Sequence, residues 1–229
     1  MNNRELILHY LQTYEIESIF NEPLMPHLSL FHFDRGDIIC SQGESSNYLY
    51  ILVKGKIKVY TTSVEGKTLI LSFKSPLEVL GDIEYVQEID FINTVEAVSS
   101  VSLIGIQYRF LKKYVKNHPP FLHFLLEKVT RKFYLKSNSL SFNLLYPVEV
   151  RLASYLLSVA YDENDSLLNK EISTTSLMDI ANLIGTSYRH LNRVIQHFCS
   201  NGLLERKKGI IIIKDKGGLK SFAESNIYE

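Results

Sequence analysis

Five polar side chains between residues 188 and 196 could hydrogen-bond to the base edges or phosphates of a nucleic acid. Apolar residues at helical spacing are interleaved with them and predict a buried face opposite the polar one. In a major groove, amide and guanidinium groups distinguish base pairs, and an arginine can make two parallel hydrogen bonds to guanine. The pattern therefore predicts a helix that could read DNA. The polar residues are Tyr188, Arg189, Asn192, Arg193 and Gln196, and the apolar residues are Leu191, Val194, Ile195 and Phe198.

A second apolar segment lies just before this helix and ends at a glycine. Residues 180–184 carry four apolar side chains, and they are followed by Gly185, a residue type that tolerates the left-handed backbone of a tight turn. Thr186 or Ser187 can then cap the next helix. Two helices joined in this way predict a helix-turn-helix, which places its second helix in a major groove. An ordinary helical hairpin with a solvated polar face is the alternative.

The segment after the two helices favours DNA binding over the plain hairpin. Residues 203–209 include Arg206, Lys207 and Lys208 before a glycine, and four isoleucines follow at 210–213. This order predicts two short strands around a basic turn, the wing of a winged helix-turn-helix. The candidate DNA contacts are Thr186, Ser187, Tyr188, Arg189, Asn192, Arg193, Lys207 and Lys208.

The charge distribution agrees with this interpretation, although the chain has 25 basic and 25 acidic residues overall. Residues 1–110 hold 8 Lys/Arg and 14 Asp/Glu, a net charge of −6, whereas residues 175–220 hold 8 and 3, a net charge of +5. Contacts with phosphates require positive charge. That charge is concentrated on the segment that carries the predicted helix-turn-helix.

Several other classes of protein lack support in the sequence. No apolar stretch is long enough for a membrane span, and the first residues do not have the form of a secretory signal, so we expect a cytoplasmic protein. Cys40 and Cys199 lie too far apart in the chain to form a ligand-spaced cluster, and we expect neither a metal nor a cofactor. An enzyme would need a nucleophile–base pair or clustered carboxylates in a pocket. Only scattered acidic residues between 82 and 90 are present, so we expect a protein that is not an enzyme.

The first half of the chain is a series of short β-branched or aromatic segments separated by turn residues. Glycine recurs where one segment ends and the next begins, as at Gly36, Gly55 and Gly81. This arrangement is typical of a β-barrel or jelly roll with tight corners. The predicted strands are 31–33, 38–41, 48–53, 57–61, 69–73, 79–80, 93–97 and 101–106.

After the predicted barrel, the period of the apolar residues changes from 2 to about 3.6. A short helix over 108–116 is predicted to stop before Pro119-Pro120, and a long helix begins near Pro120. A further helix begins at Pro147 and runs to residue 161, and residues 162–169 form a polar linker before the helix-turn-helix.

The long helix carries two apolar rows. Its first row alternates steps of four and three residues, the pattern of a coiled-coil seam, with a charge at Lys136. A helix buried against its own barrel is the alternative, but two rows favour contact with both the barrel and a twin subunit. The seam consists of Leu122, Leu126, Val129, Phe133 and Leu140, and the second row of Phe121, Phe124 and Leu125.

Three motifs, in this order, resemble the Crp/Fnr family of transcription regulators over about residues 20–215. The first is similar to the opening of a cyclic-nucleotide-binding barrel: Gly36-Asp37, Gln42-Gly43-Glu44, Tyr48, Ile51, Gly55 and Val59. The second is the long helix after Asn117-His118-Pro119, which matches the family's dimer helix. The third matches its winged helix-turn-helix: Asp179-Ile180-Ala181, Gly185-Thr186-Ser187 and Arg193. Residues 187–191 also resemble the small YeiL-like subgroup.

The resemblance implies an α+β protein in three parts. These are a sensor β-barrel of the jelly-roll type with flanking helices over 1–116, a dimerisation helix over 117–146 and a winged helix-turn-helix DNA-binding domain over 147–229. It also implies a homodimer on a palindromic site in double-stranded DNA, with RNA polymerase as a possible further partner. A ligand-binding or protein-interaction module whose helix-turn-helix does not contact DNA is the alternative.

The family pattern further implies which residues read bases. Arg193 matches the position where the family commonly places an arginine on guanine. Tyr188 and Arg189 match two other base-reading positions, but the best-known members have an Arg-Glu pair there. We therefore expect an operator that differs from the well-known one.

The predicted barrel departs from the family members that bind cyclic nucleotides. Their phosphate cassette begins Gly-Glu and ends Arg-Ser or Arg-Thr, and its arginine pairs with the phosphate. Here no lysine or arginine lies between Lys74 and Arg109, and a buried phosphate without a cationic partner is strongly disfavoured. We therefore predict that neither cyclic AMP nor cyclic GMP is the effector. The candidate effector pocket comprises Gly81, Asp82, Phe91, Ile92, Asn93 and Thr94.

Other effectors known in the family have little more support. Iron–sulfur sensing depends on an N-terminal cysteine cluster, which is missing, and haem would have only isolated histidines as axial ligands. We expect Cys40 and Cys199 to be packing residues. A ligand of the barrel, if it has one, is expected to be apolar or neutral, because Phe91 and Ile92 stand where a phosphate partner would lie.

Overall fold

The protein is described by a computed structural model that covers residues 2–66, 68–160, 171–173, 177–207 and 210–223. The chain divides into two compact units, Met1–Lys132 and Phe133–Glu229. Its α+β class matches the prediction. The predicted linker 162–169 and Lys208 lie outside the described residues, and the three-part division at 116 and 146 stays a prediction.

The first unit contains two four-stranded antiparallel sheets, with strand orders β1-β8-β3-β6 and β2-β7-β4-β5. Every predicted strand is present, with ends that differ by at most a few residues because neighbours in the ladder extend the pairing. The strands are β1 Ser29–Phe33, β2 Ile38–Cys40, β3 Tyr48–Lys54, β4 Ile57–Thr62, β5 Thr68–Lys74, β6 Val79–Leu80, β7 Thr94–Ala97 and β8 Val101–Gln107.

Side chains on successive residues of β3 enter two different cores, because a strand alternates its faces. Leu52 faces the space between the two sheets, where it joins Cys40, Val95 and Leu103. Ile51 faces outward and lies in a second core, which the helices of this unit cover. The sheet that contains β3 is therefore buried on both sides at this point.

The helices of the first unit are α1 Asn3–Thr13, α2 Asp82–Gln87, α3 Tyr108–Tyr114 and the first part of α4 Pro119–Leu145, with 3₁₀ turns at Glu17–Ile19 and Met25–His27. The sequence predicted α3 and α4 but neither α1 nor α2 individually. At the start of α1, Asn2 and Glu5 form a capping box, in which each side chain accepts a hydrogen bond from the other's backbone N–H. At α2, Gly81 supplies the left-handed φ of 80° that lets the chain turn from β6 into the helix.

The second unit contains the winged helix-turn-helix that the sequence predicted. Its helices are α5 Val148–Ala160, α6 Leu177–Leu183, α7 Tyr188–Ser200 and α8 Lys216–Phe222, and its strands are β9 Glu171–Ser173, β10 Leu204–Lys207 and β11 Ile210–Ile213. The antiparallel sheet has the order β10-β11-β9. β9 and α8 were not predicted, since each is too short to show a period. Within the described residues, every helix is too short or too polar to cross a bilayer.

Candidate nucleic-acid interface and effector site

The turn between α6 and α7 has the geometry that the sequence predicted. Gly185 adopts a φ of +65°, a region that side-chain-bearing residues rarely occupy. Of the two predicted caps, Ser187 takes the role, because its hydroxyl oxygen accepts a hydrogen bond from the backbone N–H of His190 at 3.2 Å. This cap sets the residue at which α7 begins and therefore the side of the helix on which its polar residues lie.

The two faces of α7 separate as the periodicity requires. Leu191, Val194, Ile195 and Phe198 are all buried in the core of the second unit. The five polar side chains of the opposite face line one open groove. Arg189 and Arg193 are exposed there, one turn apart. The groove presents two guanidinium groups, an asparagine amide, a glutamine amide and a phenol, all able to hydrogen-bond to base edges or phosphates.

A buried arginine on α5 stabilises the turn between α6 and α7 by hydrogen bonds to its backbone. Arg151 donates from Nη1 to the carbonyl oxygen of Ile184 and, at 3.2 Å, to that of Gly185. These carbonyls lie where helix α6 ends and have no partner within the helix. A Cβ on Gly185 would lie 3.3 Å from Nη1 of Arg151. Sequence reasoning missed this residue, although a charge in the inward row of an amphipathic helix is a signal that could have identified it.

The wing places its basic side chains on two faces. Lys207 pairs with Glu205 at 2.7 Å, and Lys214 pairs with the same carboxylate at 3.4 Å. The hydrogen bond from Lys207 is the main reason why the pKa of Glu205 is below its usual value. Arg206 instead donates from Nη1 to Oδ1 of Asn192 on α7 at 3.1 Å. The sequence assigned DNA contact to Lys207 and Lys208 but not to Arg206.

The predicted seam of α4 is exposed in the single chain. Leu122, Leu126, Phe133 and Leu140 are 44, 61, 75 and 62 % exposed, and Val129 is partly exposed. The second row behaves differently, since Phe121, Phe124 and Leu125 are buried in the outer core of the first unit. The first part of the long helix therefore packs on the first unit with its second row, whereas the seam is uncovered in the single chain.

The residues of the candidate effector pocket lie around α2 and the start of β7. Backbone hydrogen bonds tie Phe91 to residues 43 and 44, and its ring packs against the core between the sheets. The backbone N–H of Ile92 donates to Glu84 Oε1 at 3.1 Å, and the hydroxyl of Thr94 accepts from the backbone of Gln42 at 3.1 Å. Asn93 is partly buried between them.

A lysine from α4 reaches this region. Lys132 Nζ contacts both oxygens of Asp82 at 2.8 and 2.9 Å, the carbonyl oxygen of Val79 at 2.6 Å and the carboxylate of Glu78 at 3.0 Å. Lys74 also pairs with Glu78, at 3.1 Å. Burial by itself would raise the pKa of Glu78, but the two lysines hold it below its ordinary value. Burial would likewise lower the pKa of Lys132, yet Asp82 and Glu78 raise it.

We expect Lys132→Met to destabilise the folded protein by about 3–5 kcal/mol, because it leaves the carboxylate of Asp82, only 2 % exposed, without its cation. Denaturant unfolding measures this loss. Adding Asp82→Asn should recover part of it. The matched control is Lys112→Met, whose partner Glu88 is exposed, so that the loss of stability should be far smaller. Equal losses for the two lysine variants would contradict the assignment.

Cys40 is a small residue of the core between the sheets, as the sequence predicted. Burial, reinforced by the charges of Glu84 and Glu44, raises the pKa of its thiol to about 12. The thiol is therefore protonated at neutral pH, which removes the thiolate that redox chemistry requires. Cys199 is partly buried and packs against the core of the second unit, also as expected.

Comparison with known proteins agrees with both units. A family model for the cyclic nucleotide-binding domain matches residues 30–118, and a model for the Crp-like helix-turn-helix domain matches residues 150–222. Together these matches cover most of the chain in the order of the predicted motifs. The chain belongs to the Crp/Fnr family. This family consists of transcription regulators and not of enzymes, and its DNA-binding domain is the helix-turn-helix domain.

Relatives of this Crp/Fnr regulator support the assignment over nearly its whole length. The regulatory protein YeiL of Escherichia coli O157:H7 is 27 % identical to this chain. The aligned region spans 90 % of this chain and 93 % of YeiL. This likeness agrees with the YeiL resemblance seen in the sequence. A CRP-like cAMP-activated global transcriptional regulator of Mycobacterium tuberculosis is 21 % identical over 84 % of this chain and 87 % of its own length.

Solved structures share the fold of this Crp/Fnr regulator. A regulator of the same family from Eubacterium rectale matches with a TM-score of 0.79 at 22 % identity, over 95 % of this chain and all of the other. The c-di-GMP responsive regulator CLP of Xanthomonas campestris matches with a TM-score of 0.75 at 16 % identity, over 85 % of this chain and 97 % of the other.

Proposed function

We propose that this Crp/Fnr regulator binds a two-fold-symmetric site in double-stranded DNA as a homodimer and regulates transcription there. The observation that carries the proposal is α7, whose apolar face is buried while its five polar side chains line an open groove. Ser187 and Arg151 fix the start of this helix and the turn before it. Selection of binding sequences from random DNA by the full chain tests the proposal.

The exposed seam of α4 supports the dimer. Phe133 and Leu140 are large apolar side chains that water surrounds in the single chain, and contiguous exposed apolar surface marks a site of association. A partner helix in a symmetric pair would cover this row by knobs-into-holes packing. A dimer presents two copies of α7, and each reads one half of a palindromic site. RNA polymerase remains an expected further partner.

A ligand-binding or protein-interaction module without DNA contact is the second candidate, and the charges disfavour it. Arg189 and Arg193 are exposed one turn apart beside a basic wing. Binding to a small molecule or to a protein surface without strong negative charge would not require this positive charge. Phosphates and guanine edges give a reason for it, because both accept hydrogen bonds from the planar guanidinium group.

We further propose that neither cyclic AMP nor cyclic GMP is the effector. By the resemblance in sequence, Phe91 and Ile92 match the end of the cassette, where cyclic-nucleotide-binding members carry the arginine that pairs with the phosphate. Lys132 does bring a cation near α2, but an ammonium group has three donors, and here it contacts Val79, Asp82 and Glu78. Its charge is already balanced by acidic groups. A bound phosphate would thus compete with two carboxylates for one lysine.

We expect millimolar cyclic AMP or cyclic GMP to leave the melting temperature of this protein unchanged. A ligand present at 100 times its dissociation constant adds about 2.7 kcal/mol to the free energy of unfolding, which thermal unfolding detects readily. A cAMP-activated relative, assayed alongside, shows that the assay detects such binding. Saturable stabilisation by cyclic AMP would contradict the proposal and would mean that Lys132 exchanges its carboxylates for the phosphate.

A further inference from the structure

In the part of the chain that the structure describes, one side-chain hydrogen bond joins the wing to α7. Nη1 of Arg206 on β10 donates to Oδ1 of Asn192 on α7 at 3.1 Å. Asn192 lies between Arg189 and Arg193 in the sequence, and all three side chains line the groove of α7. The bond therefore ends at the centre of the surface proposed to meet DNA.

The position of Arg206 follows from the alternation of β10. Leu204 is buried in the core under α7, and side chains two residues apart share a face of a strand. Arg206 thus continues the α7-facing row, while Glu205 and Lys207 pair with each other on the other face. Cys199 gives a second indication: partial burial raises the pKa of its thiol, and the charge of Arg206 opposes that rise. The charge of Arg206 is thus near enough to α7 to act on the Cys199 thiol as well as to bond Asn192.

Asn192 uses both ends of its amide within the protein. Its Oδ1 accepts from Arg206, and its Nδ2 donates to the backbone carbonyl oxygen of Tyr188 at 3.2 Å. An asparagine that reads adenine uses the same two groups together on the base. The amide held in this way is better suited to fix the geometry of the groove than to read a base itself.

We propose that Arg206 is a further specificity-determining residue: it braces Asn192, and the Arg206–Asn192 pair sets the geometry in which Arg189 and Arg193 meet the bases. Asn192 is then a positioning residue. A guanidinium group carries five N–H donors, and the bond to Asn192 uses one of them, so the charge of Arg206 also stays beside the groove and attracts phosphates. This inference rests on the proposed DNA binding.

The test measures the relative affinity of every single-base variant of the selected site at constant salt. The variants are Arg206→Met, Asn192→Ala, their combination, and Arg206→Lys, which keeps the positive charge and an N–H donor of nearly the same reach for Asn192. Lys207→Met is the matched control, since it removes a neighbouring charge on the other face of β10. Thermal unfolding checks that each variant folds, as expected for positions outside the buried core.

We expect Arg206→Met and Asn192→Ala to reduce discrimination about five- to tenfold at the same base positions, and the combination to lose no more than either change alone. Arg206→Lys should keep the base preference and the salt dependence, because it keeps both the charge and a donor to Asn192. Lys207→Met should weaken selected and random DNA alike.

Two outcomes would overturn the inference and leave the proposed function intact. In the first, Arg206→Met weakens every sequence equally, as Lys207→Met does, so that Arg206 is only a phosphate contact. In the second, the losses of Arg206→Met and Asn192→Ala fall on different base positions and add. If the unaltered protein selects no sequence at all, the proposed function fails, and this inference fails with it.

Discussion

Glutamate at both Val129 and Phe133 is expected to convert the dimer into monomers. Like charges would then face each other across the two-fold axis in place of an apolar contact. Phe133 is 75 % exposed in the single chain and Val129 is partly exposed, so the fold itself should lose little stability. DNA affinity should fall by about 10²-fold or more, because the second half-site is no longer bound at a high effective concentration.

Light scattering and DNA titration of the same preparation measure both effects. The control is Asn138→Glu, an exposed position on the same helix outside the seam, which should leave the dimer and its affinity unchanged. A dimer that persists with glutamate at positions 129 and 133 would show that the interface lies elsewhere.

Arg193→Ala should cost about 1–3 kcal/mol of binding free energy on the selected site and relax the preference at one base position. The physical reason is the loss of two parallel hydrogen bonds to a guanine edge, which the proposed contact supplies. Lys207→Ala and Lys208→Ala should instead weaken all sequences alike and reduce the salt dependence, as phosphate contacts do. Equal losses on selected and random DNA for Arg193→Ala would contradict its role as a base reader.

The sequence predicted those features that depend on local pattern. Eight strands, the long helix and the helix-turn-helix all appear at their expected places, because alternation and helical spacing record which side chains are buried. The turn chemistry of Gly185 and Ser187 was predicted for the same reason: left-handed backbone and helix capping are local requirements. The short elements α1, α2, β9 and α8 depend on caps and on tertiary packing, which periodicity does not record.

The contacts that organise the candidate sites join residues far apart in the sequence. Lys132 meets Asp82 across 50 residues, and Arg151 meets Ile184 across 33. The sequence assigned Asp82 only to the candidate effector pocket, whereas the structure pairs its carboxylate with Lys132. The sequence assigned DNA contact to Lys207 and Lys208 and not to Arg206. Only the packing of β10 beside α7 shows that Arg206 faces α7 and that Lys207 does not.

The central claim is that this Crp/Fnr regulator reads DNA sequence as a two-fold dimer, and selection from a random DNA library by the full-length protein tests it most directly. We predict enrichment of an inverted repeat whose half-sites are centred about one helical turn, or 10–11 base pairs, apart. Two chains should bind each selected duplex, with an affinity that falls steeply with salt and exceeds that for random DNA by about 10³-fold or more. A library that stays random after repeated rounds, or a selected site that binds a single chain, would contradict the account.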